Sequence, residues 1–218
     1  MGNVALAVLV AYLLPAGALI RRAATRGDSE SRPVGTLSGT ATLANGSKAP
    51  FTLELSGRSS CALTVGAATV TFARGQATGD DVPMKTLLEG VCTLATLRDG
   101  GPGEADAALR RLLGGRNVPL APVALSRLDG TVGVVIGAAE GQLDRPQLWV
   151  SRGASRPIRF LWQSDGKLWD ARLGEWGSTA VGDAFPRTLA LWDGDKQLLR
   201  LSAENSSLRG EKSDDGQD

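Results

Sequence analysis

The chain has 218 residues, of which 42% are hydrophobic, and its formal net charge is +1. This length and apolar content predict one globular domain with a substantial core, and they exclude a disordered chain. A charge near zero provides no basic face for nucleic acid. Histidine is absent, which excludes Ser–His and Cys–His nucleophile pairs and zinc sites that need imidazole.

The chain opens with an uncharged apolar stretch at residues 4–20. This stretch is near the lower length limit for a membrane-spanning helix and slightly long for the core of a signal peptide. Small residues favour cleavage after Ala18, whereas the positive charge that begins at Arg21 favours an uncleaved anchor, because such charge tends to stay in the cytoplasm. We predict that residues 1–20 are a signal peptide or membrane anchor and that residues 21–34 are a linker.

A β meander is predicted to follow the linker. Asn45-Gly46 is a strong signal for a hairpin turn. Residues 51–55 alternate between apolar and polar side chains, as expected of a half-buried antiparallel strand. Further strands are predicted at 35–43, 61–65 and 67–73.

Two helices are predicted in the middle of the chain, where apolar residues begin to recur every three or four positions. The first covers residues 82–97, with Pro83 in its first turn. The second covers residues 104–113 and ends before Gly114. Together they form a helical insertion at 82–113 within a β-rich domain.

Strand patterns resume after the insertion and continue to the end of the domain. Together with the first meander they predict a single β-rich domain at 35–204 and a disordered polar tail at 205–218. The predicted fold class is mainly β (α+β), built on a curved antiparallel sheet. The runs of strand length are 123–125, 131–136, 147–150, 158–163, 167–173, 188–192 and 197–203.

The two cysteines, Cys61 and Cys92, are 31 positions apart and form no CxxC motif. In an oxidising compartment they can form a disulfide, which would contribute roughly 3–4 kcal/mol under the loop-closure model. Cys92 also fits the apolar stripe of the first predicted helix. The alternative is therefore a pair of small buried apolar residues.

Carboxylates provide one route to an enzyme, in which Asp170 would act with Glu175 or Asp183. A hydrolase needs its carboxylates to converge in a cleft, and solvated turn residues are the simpler interpretation of these three. The Asp–Gly pairs lack the ligand spacing of an EF-hand and are typical of hairpin turns. We predict no catalytic residue, no metal site and no cofactor.

Five tryptophans lie close together in the second meander and allow two interpretations. They can fill the core and form aromatic pairs across strands. Alternatively, they can line an apolar concavity, and both interpretations can hold on opposite faces of the sheet. The five are Trp149, Trp162, Trp169, Trp176 and Trp192.

The C-terminal motifs resemble those of a known family. Residues 144–150 (DRPQLWV) and 156–160 (RPIRF) are similar to the "Pro-x-Leu-Trp-Val … Leu-Pro-x-Arg" passage of outer-membrane lipoprotein-sorting (LolA/LolB-like) proteins. Residues 185–201 resemble the closing strands of the same family. One departure is that the family usually begins with an amphipathic helix before the first strand, whereas here only the apolar leader and the linker are found.

The resemblance implies an unclosed half-barrel with the two helices packed in its mouth and an apolar cavity that takes acyl chains. Strand parity and the helix stripes then select the candidate cavity residues. These candidates are Leu87, Leu88, Val91, Leu109, Leu112, Trp149, Phe160, Trp162 and Trp169.

These observations predict an exported periplasmic carrier that binds lipid or lipoprotein acyl chains and meets a partner protein of the inner or outer membrane. Nucleic acid is not an expected partner. The alternative is a structural or interaction protein of the cell envelope, anchored to the membrane and facing the periplasm, that holds no ligand.

Overall fold

The computed structural model describes residues 14–25, 31–56, 60–96, 102–177 and 185–212. Within these ranges the chain forms three helices and thirteen strands. The helices are α1 (Ala16–Thr25), α2 (Val82–Thr96) and α3 (Pro102–Gly115). The strands of the first half are β1 (Ser31–Leu43), β2 (Lys48–Ser56), β3 (Ser60–Val65), β4 (Ala68–Ala73) and β5 (Gln76–Thr78). Those of the second half are β6 (Val123–Leu128), β7 (Thr131–Ile136), β8 (Gln147–Ser151), β9 (Pro157–Ser164), β10 (Lys167–Trp176), β11 (Pro186–Asp193), β12 (Lys196–Ser206) and β13 (Arg209–Lys212).

All thirteen strands belong to one curved antiparallel sheet. Strands β1–β5 form one meander and β6–β12 form another, and the two meanders are joined where β1 pairs with β12. This arrangement leaves β5 and β6 at opposite edges, and the described residues contain no pairing between them. The sheet is therefore an unclosed half-barrel, as predicted.

Helices α2 and α3 connect the two edges of the sheet. The chain leaves edge strand β5 and must reach edge strand β6, so its connection crosses one face of the sheet. Helix α2 contacts β3, β4 and β5 of the first meander and β10, β11 and β12 of the second. We call the face that α2 covers the inner face and the opposite one the outer face.

Tight turns join several of the paired strands, and glycine placement explains their geometry. Asp165 and Gly166 link β9 to β10 with positive φ angles of 52° and 73°. This backbone suits a two-residue turn that matches the twist of the flanking strands. The hairpin predicted at Asn45-Gly46 is also confirmed, because the amide of Gly46 donates to the carbonyl of Leu43 between β1 and β2.

The segment predicted as a linker, 21–34, is structured at both of its ends. Helix α1 continues to residue 25, and β1 begins at residue 31. The physical reason for the helix is a stripe of small and branched apolar residues on one side. These are Leu19, Ile20, Ala23 and Ala24, all of which lie buried in the main core.

The tail predicted to be disordered, 205–218, is ordered over its first part. Strand β12 extends to residue 206, and β13 pairs with residues 31–34 of β1. Leu208, which lies between β12 and β13 in the chain, is buried in the main core. Its burial favours the return of the chain along β1. Within the described part of the chain, no helix combines the length and apolar character needed to cross a membrane.

Candidate functional site

The inner face of the half-barrel carries one continuous apolar cluster, to which all three helices contribute. Alternation along the strands places every second side chain on this face. Eight of the nine residues predicted to line a cavity lie in or against this cluster. They are Leu87, Leu88, Val91, Leu109, Leu112, Phe160, Trp162 and Trp169.

Trp162 belongs to this cluster and is fully buried. Its ring stacks on Phe160, with the ring centroids 5.1 Å apart and the planes 19° apart. Helix α2 also approaches the indole closely at Gly90, where a Cβ would lie 2.7 Å from Cη2. A glycine at this position is therefore what lets α2 pack directly on the indole.

The indole nitrogen of Trp162 is the unusual polar atom of this region. Nε1 is buried and has no hydrogen-bond partner among the residues that the structure describes. Most buried donors in folded proteins are paired, because burial without a partner costs about 1–3 kcal/mol. This N–H is consequently a polar group that the inner face can offer to a bound molecule.

The inner face ends in a polar rim close to Trp162. Trp169 is the direct cross-strand neighbour of Trp162 on β10. Beyond it, the ammonium of Lys167 lies 5.4 Å from the centroid of the Trp169 ring. The same ammonium contacts Asp193 Oδ2 at 3.2 Å. The apolar surface of the inner face therefore gives way to an exposed ion pair immediately beyond the Trp162–Trp169 pair.

A disulfide ties α2 to the first meander. Cys61 of β3 and Cys92 of α2 are joined, with their Cα atoms 6.3 Å apart, and both are buried. Both features that the sequence indicated for Cys92 are thus present, since this residue belongs to the buried stripe of α2 and also forms the disulfide. The link fixes α2 two residues from its contact with Trp162 at Gly90.

Helix α3 packs against α1, and polar contacts link the pair. Arg110 of α3 donates from Nε to Asp106 Oδ2 at 3.0 Å and from Nη2 to the carbonyl of Gly17 at 3.5 Å. Helix α1 is the amphipathic helix before the first strand that the sequence analysis did not find. It supplies part of the inner cluster through Leu19 and Ile20.

Trp149 is a correction to the predicted cavity lining. It lies on the outer face, in a second and smaller cluster with Val135, Ala138 and Ile158. Its Nε1 donates to Oε1 of Gln147 at 2.7 Å. The physical reason is parity, because the neighbours of Trp149 along β8 already face inward and belong to the inner cluster.

The outer face also carries a buried charged network that the sequence analysis missed. Arg159 donates from Nε and Nη2 to the two oxygens of Asp170 at 2.9 Å and 2.7 Å. Arg172 donates from Nε to Asp170 Oδ2 at 3.2 Å. Each guanidinium also lies over an indole ring, Arg159 over Trp149 and Arg172 over Trp192. We call these five residues the outer-face ladder.

One sequence signal could have indicated the ladder. Arg159 and Asp170 lie on adjacent predicted strands, and each is next in sequence to an apolar residue that faces inward. Their charges therefore share the opposite face, and an ion pair there could have been predicted. The ladder also assigns a structural part to Asp170, since both of its oxygens accept from arginine. Its hypothetical partner Glu175 is exposed, and Asp183 lies outside the described residues.

The described side chains include no group of three or more cysteine, aspartate and glutamate residues arranged to hold a metal ion. The chemistry that the described inner face offers is therefore an apolar surface, one unpaired N–H and a charged rim. Such a surface can hold an amphipathic molecule with its tail inside and its polar end at the rim.

No protein-family model matches the chain, and the search of curated proteins finds no match. Several solved structures are similar to it, among them two at 10% sequence identity each. One is a LolA superfamily protein from Nitrosomonas europaea, with a TM-score of 0.47 over 90% of this chain and 94% of that one. The other is described as an outer membrane lipoprotein-sorting protein domain from Vibrio parahaemolyticus, with a TM-score of 0.46 over 91% of this chain and 94% of that one. Both descriptions belong to the family that residues 144–160 of this sequence resemble.

Proposed function

We propose that the protein is a carrier that holds the acyl chains of a lipid or lipoprotein on the inner face of its half-barrel. The observation that supports this most is the continuous apolar inner face of an unclosed sheet, covered by helices and not by a second sheet. A carrier needs such a face and a way to expose it. The resemblance of the C-terminal motifs to lipoprotein-sorting proteins points in the same direction.

The energetics of acyl burial fit this proposal. Each buried methylene contributes about 0.8 kcal/mol, so a palmitoyl chain can contribute on the order of 12 kcal/mol. The inner cluster is closely packed, and a chain would therefore enter by displacing helices. The disulfide holds α2 to β3, whereas α3 packs chiefly against α1. We propose that α1 and α3 move together as the lid while α2 stays in place.

We further propose that the protein works in the periplasm, as a free or anchored protein. A disulfide between Cys61 and Cys92 persists in an oxidising compartment and is uncommon in the cytosol. The apolar leader provides a means of export, although Leu19 and Ile20 at its end also belong to the folded core. Partner proteins would then lie in the inner or outer membrane.

Photocrosslinking tests the proposal directly. The full chain is incubated with a palmitic acid that carries a photoreactive diazirine, irradiated and digested, and the labelled peptides are identified by mass spectrometry. We expect labels on inner-face residues such as Leu88, Phe160 and Leu191, with one lipid per chain. Labels spread over the outer-face residues Val135 and Trp149 would contradict binding at the inner face.

A matched pair of variants separates inner-face binding from general instability. Ala171 and Ala190 are buried on neighbouring strands, Ala171 in the inner cluster and Ala190 on the outer face by register with Arg172. Ala171→Leu and Ala190→Leu should each cost roughly 1–3 kcal/mol from overpacking. Only Ala171→Leu should lower the labelling yield, and equal yields in the two variants would oppose the proposal.

One observation favours the second candidate, a ligand-free structural or interaction protein of the envelope. Leu87, Leu88, Phe160 and Trp162 are all buried in the described structure, as they would be in a permanently filled core. Under that function, native mass spectrometry of the chain purified from bacteria would detect no lipid. Added palmitic acid would also leave the thermal midpoint unchanged, whereas a ligand of the folded state raises it.

A further inference from the structure

The buried indole N–H of Trp162 calls for a partner. Its side chain is fully buried, and the described part of the chain provides no acceptor for Nε1. A resident water is a poor solution, because a buried water needs two to four polar partners. Phe160 and Gly90, which lie next to the ring, provide no polar side-chain atom.

The position of Trp162 indicates what kind of acceptor would reach it. It pairs with Trp169, which lies under Lys167, and Lys167 pairs with Asp193 at the rim. In the other direction along the strand lies Phe160, which is cross-strand to Ala171 within the inner cluster. Trp162 therefore marks the boundary between the apolar interior and the polar rim.

An acyl lipid has one acceptor at the corresponding boundary of its own structure, namely the carbonyl of the ester or amide that joins the chain to its headgroup. We infer that Trp162 Nε1 donates a hydrogen bond to this carbonyl oxygen. The acyl chain then runs past Phe160 into the inner cluster, and the headgroup lies at the rim near Lys167 and Asp193. This inference rests on the proposed function and specifies the orientation of its ligand.

A ligand that lacks the carbonyl provides the test. The probes are 1-palmitoyl-lysophosphatidylcholine and its 1-O-hexadecyl ether analogue, which differ by the ester carbonyl. Affinities of the full chain for both are measured by isothermal titration calorimetry. Since one hydrogen bond contributes a modest net free energy, the ester should bind roughly two- to twelvefold more tightly than the ether. In Trp162→Phe, which retains an aromatic ring but no N–H, this ratio should fall to one.

Trp149→Phe is the matched control, because it makes the same substitution on the outer face, where the indole already bonds to Gln147. It should leave the ester-to-ether ratio unchanged. Equal affinities of the native chain for the two lipids would overturn the inference while leaving the carrier function intact. Absence of binding for both lipids would instead contradict the carrier function itself.

A second measurement avoids the risk that Trp162→Phe fails to fold. The native chain is labelled with ¹⁵N-indole tryptophan, and its indole N–H signals are recorded with and without each lipid. The Trp162 signal should move downfield with the ester and stay near its free position with the ether. Identical shifts with the two lipids would overturn the inference. The Trp149 signal serves as the internal reference.

Discussion

Reduction of the disulfide should weaken the fold by an amount that its position in the sequence predicts. Cys61 and Cys92 are 31 residues apart. In the chain-entropy model, a loop of this length lowers the entropy of the unfolded chain by about 12 cal/mol/K. At 25 °C this corresponds to roughly 3.5–4 kcal/mol of stability. Reduction should therefore lower the free energy of unfolding by most of the amount that the disulfide contributes.

Urea denaturation at equilibrium measures this loss, with and without a thiol reductant. The reduced native chain is the appropriate comparison because it retains both sulfur atoms and therefore leaves no cavity. A double Cys61→Ala, Cys92→Ala variant should lose slightly more, since both sites are buried. A loss below about 1 kcal/mol on reduction would refute the entropic reasoning.

The same perturbation tests which helix forms the lid. If α1 and α3 move while α2 stays in place, reduction should change the release rate of a bound acyl probe by less than twofold. If α2 itself must open, its release from β3 should accelerate the exchange several-fold. Stopped-flow displacement of a fluorescent fatty acid distinguishes these outcomes, and acceleration on reduction would oppose the lid that we propose.

Two further substitutions test the packing on each face. Gly90→Ala should destabilise the fold by about 1–3 kcal/mol in urea denaturation, because the new Cβ would press on the indole of Trp162. Without this contact, alanine would stabilise the helix by about 1 kcal/mol relative to glycine. A more stable variant would therefore contradict the contact. Asp170→Asn should cost about 3–5 kcal/mol, because it leaves the buried guanidinium of Arg159 without a carboxylate. Arg172→Met should cost less than about 1 kcal/mol, since the arginine side chain is 29% exposed and Arg159 keeps Asp170 as its partner. Equal losses of stability in Asp170→Asn and Arg172→Met would contradict this ranking.

The order of the elements was predictable because the signals were local. Hairpin turns such as Asp165-Gly166 carry their geometry in two residues. The change from a period of two to a period of 3.6 located the helical insertion, which the structure has as α2 and α3. The short edge strand β5 was missed, since three residues are too few to carry a period.

The relative orientation of strands was harder to predict because it depends on register. Alternation along β8 separates Trp149 from its neighbours, but it does not say which set faces inward. That choice depends on the pairing of β8 with β9, in which Leu148 lies opposite Phe160 and Trp149 lies opposite Arg159. Sequence alone does not give this register, and Trp149 was consequently assigned to the wrong face.

Helix α1 was missed for a different physical reason. An apolar stretch such as 4–20 has the same composition in a signal peptide, a membrane anchor and a buried helix. The distinguishing feature is the stripe that continues beyond the stretch to Ala23 and Ala24, interrupted by two arginines. The helix is recognisable as amphipathic only when the end of the apolar stretch and the residues that follow it are considered together.

If the protein is the carrier that we propose, the two faces of the second meander divide the requirements of that function between them. On the outer face, the ladder links β8, β9, β10 and β11 through buried ion pairs and ring contacts, whose loss is costly. We expect a sheet that is held in this way to keep its curvature when the packing on its inner face changes. The inner face is held mainly by apolar contacts, which are non-directional and can be exchanged for those of an acyl chain. The buried ion pairs of the second meander therefore lie in the wall, which is consistent with the pair α1 and α3 as the lid that we propose.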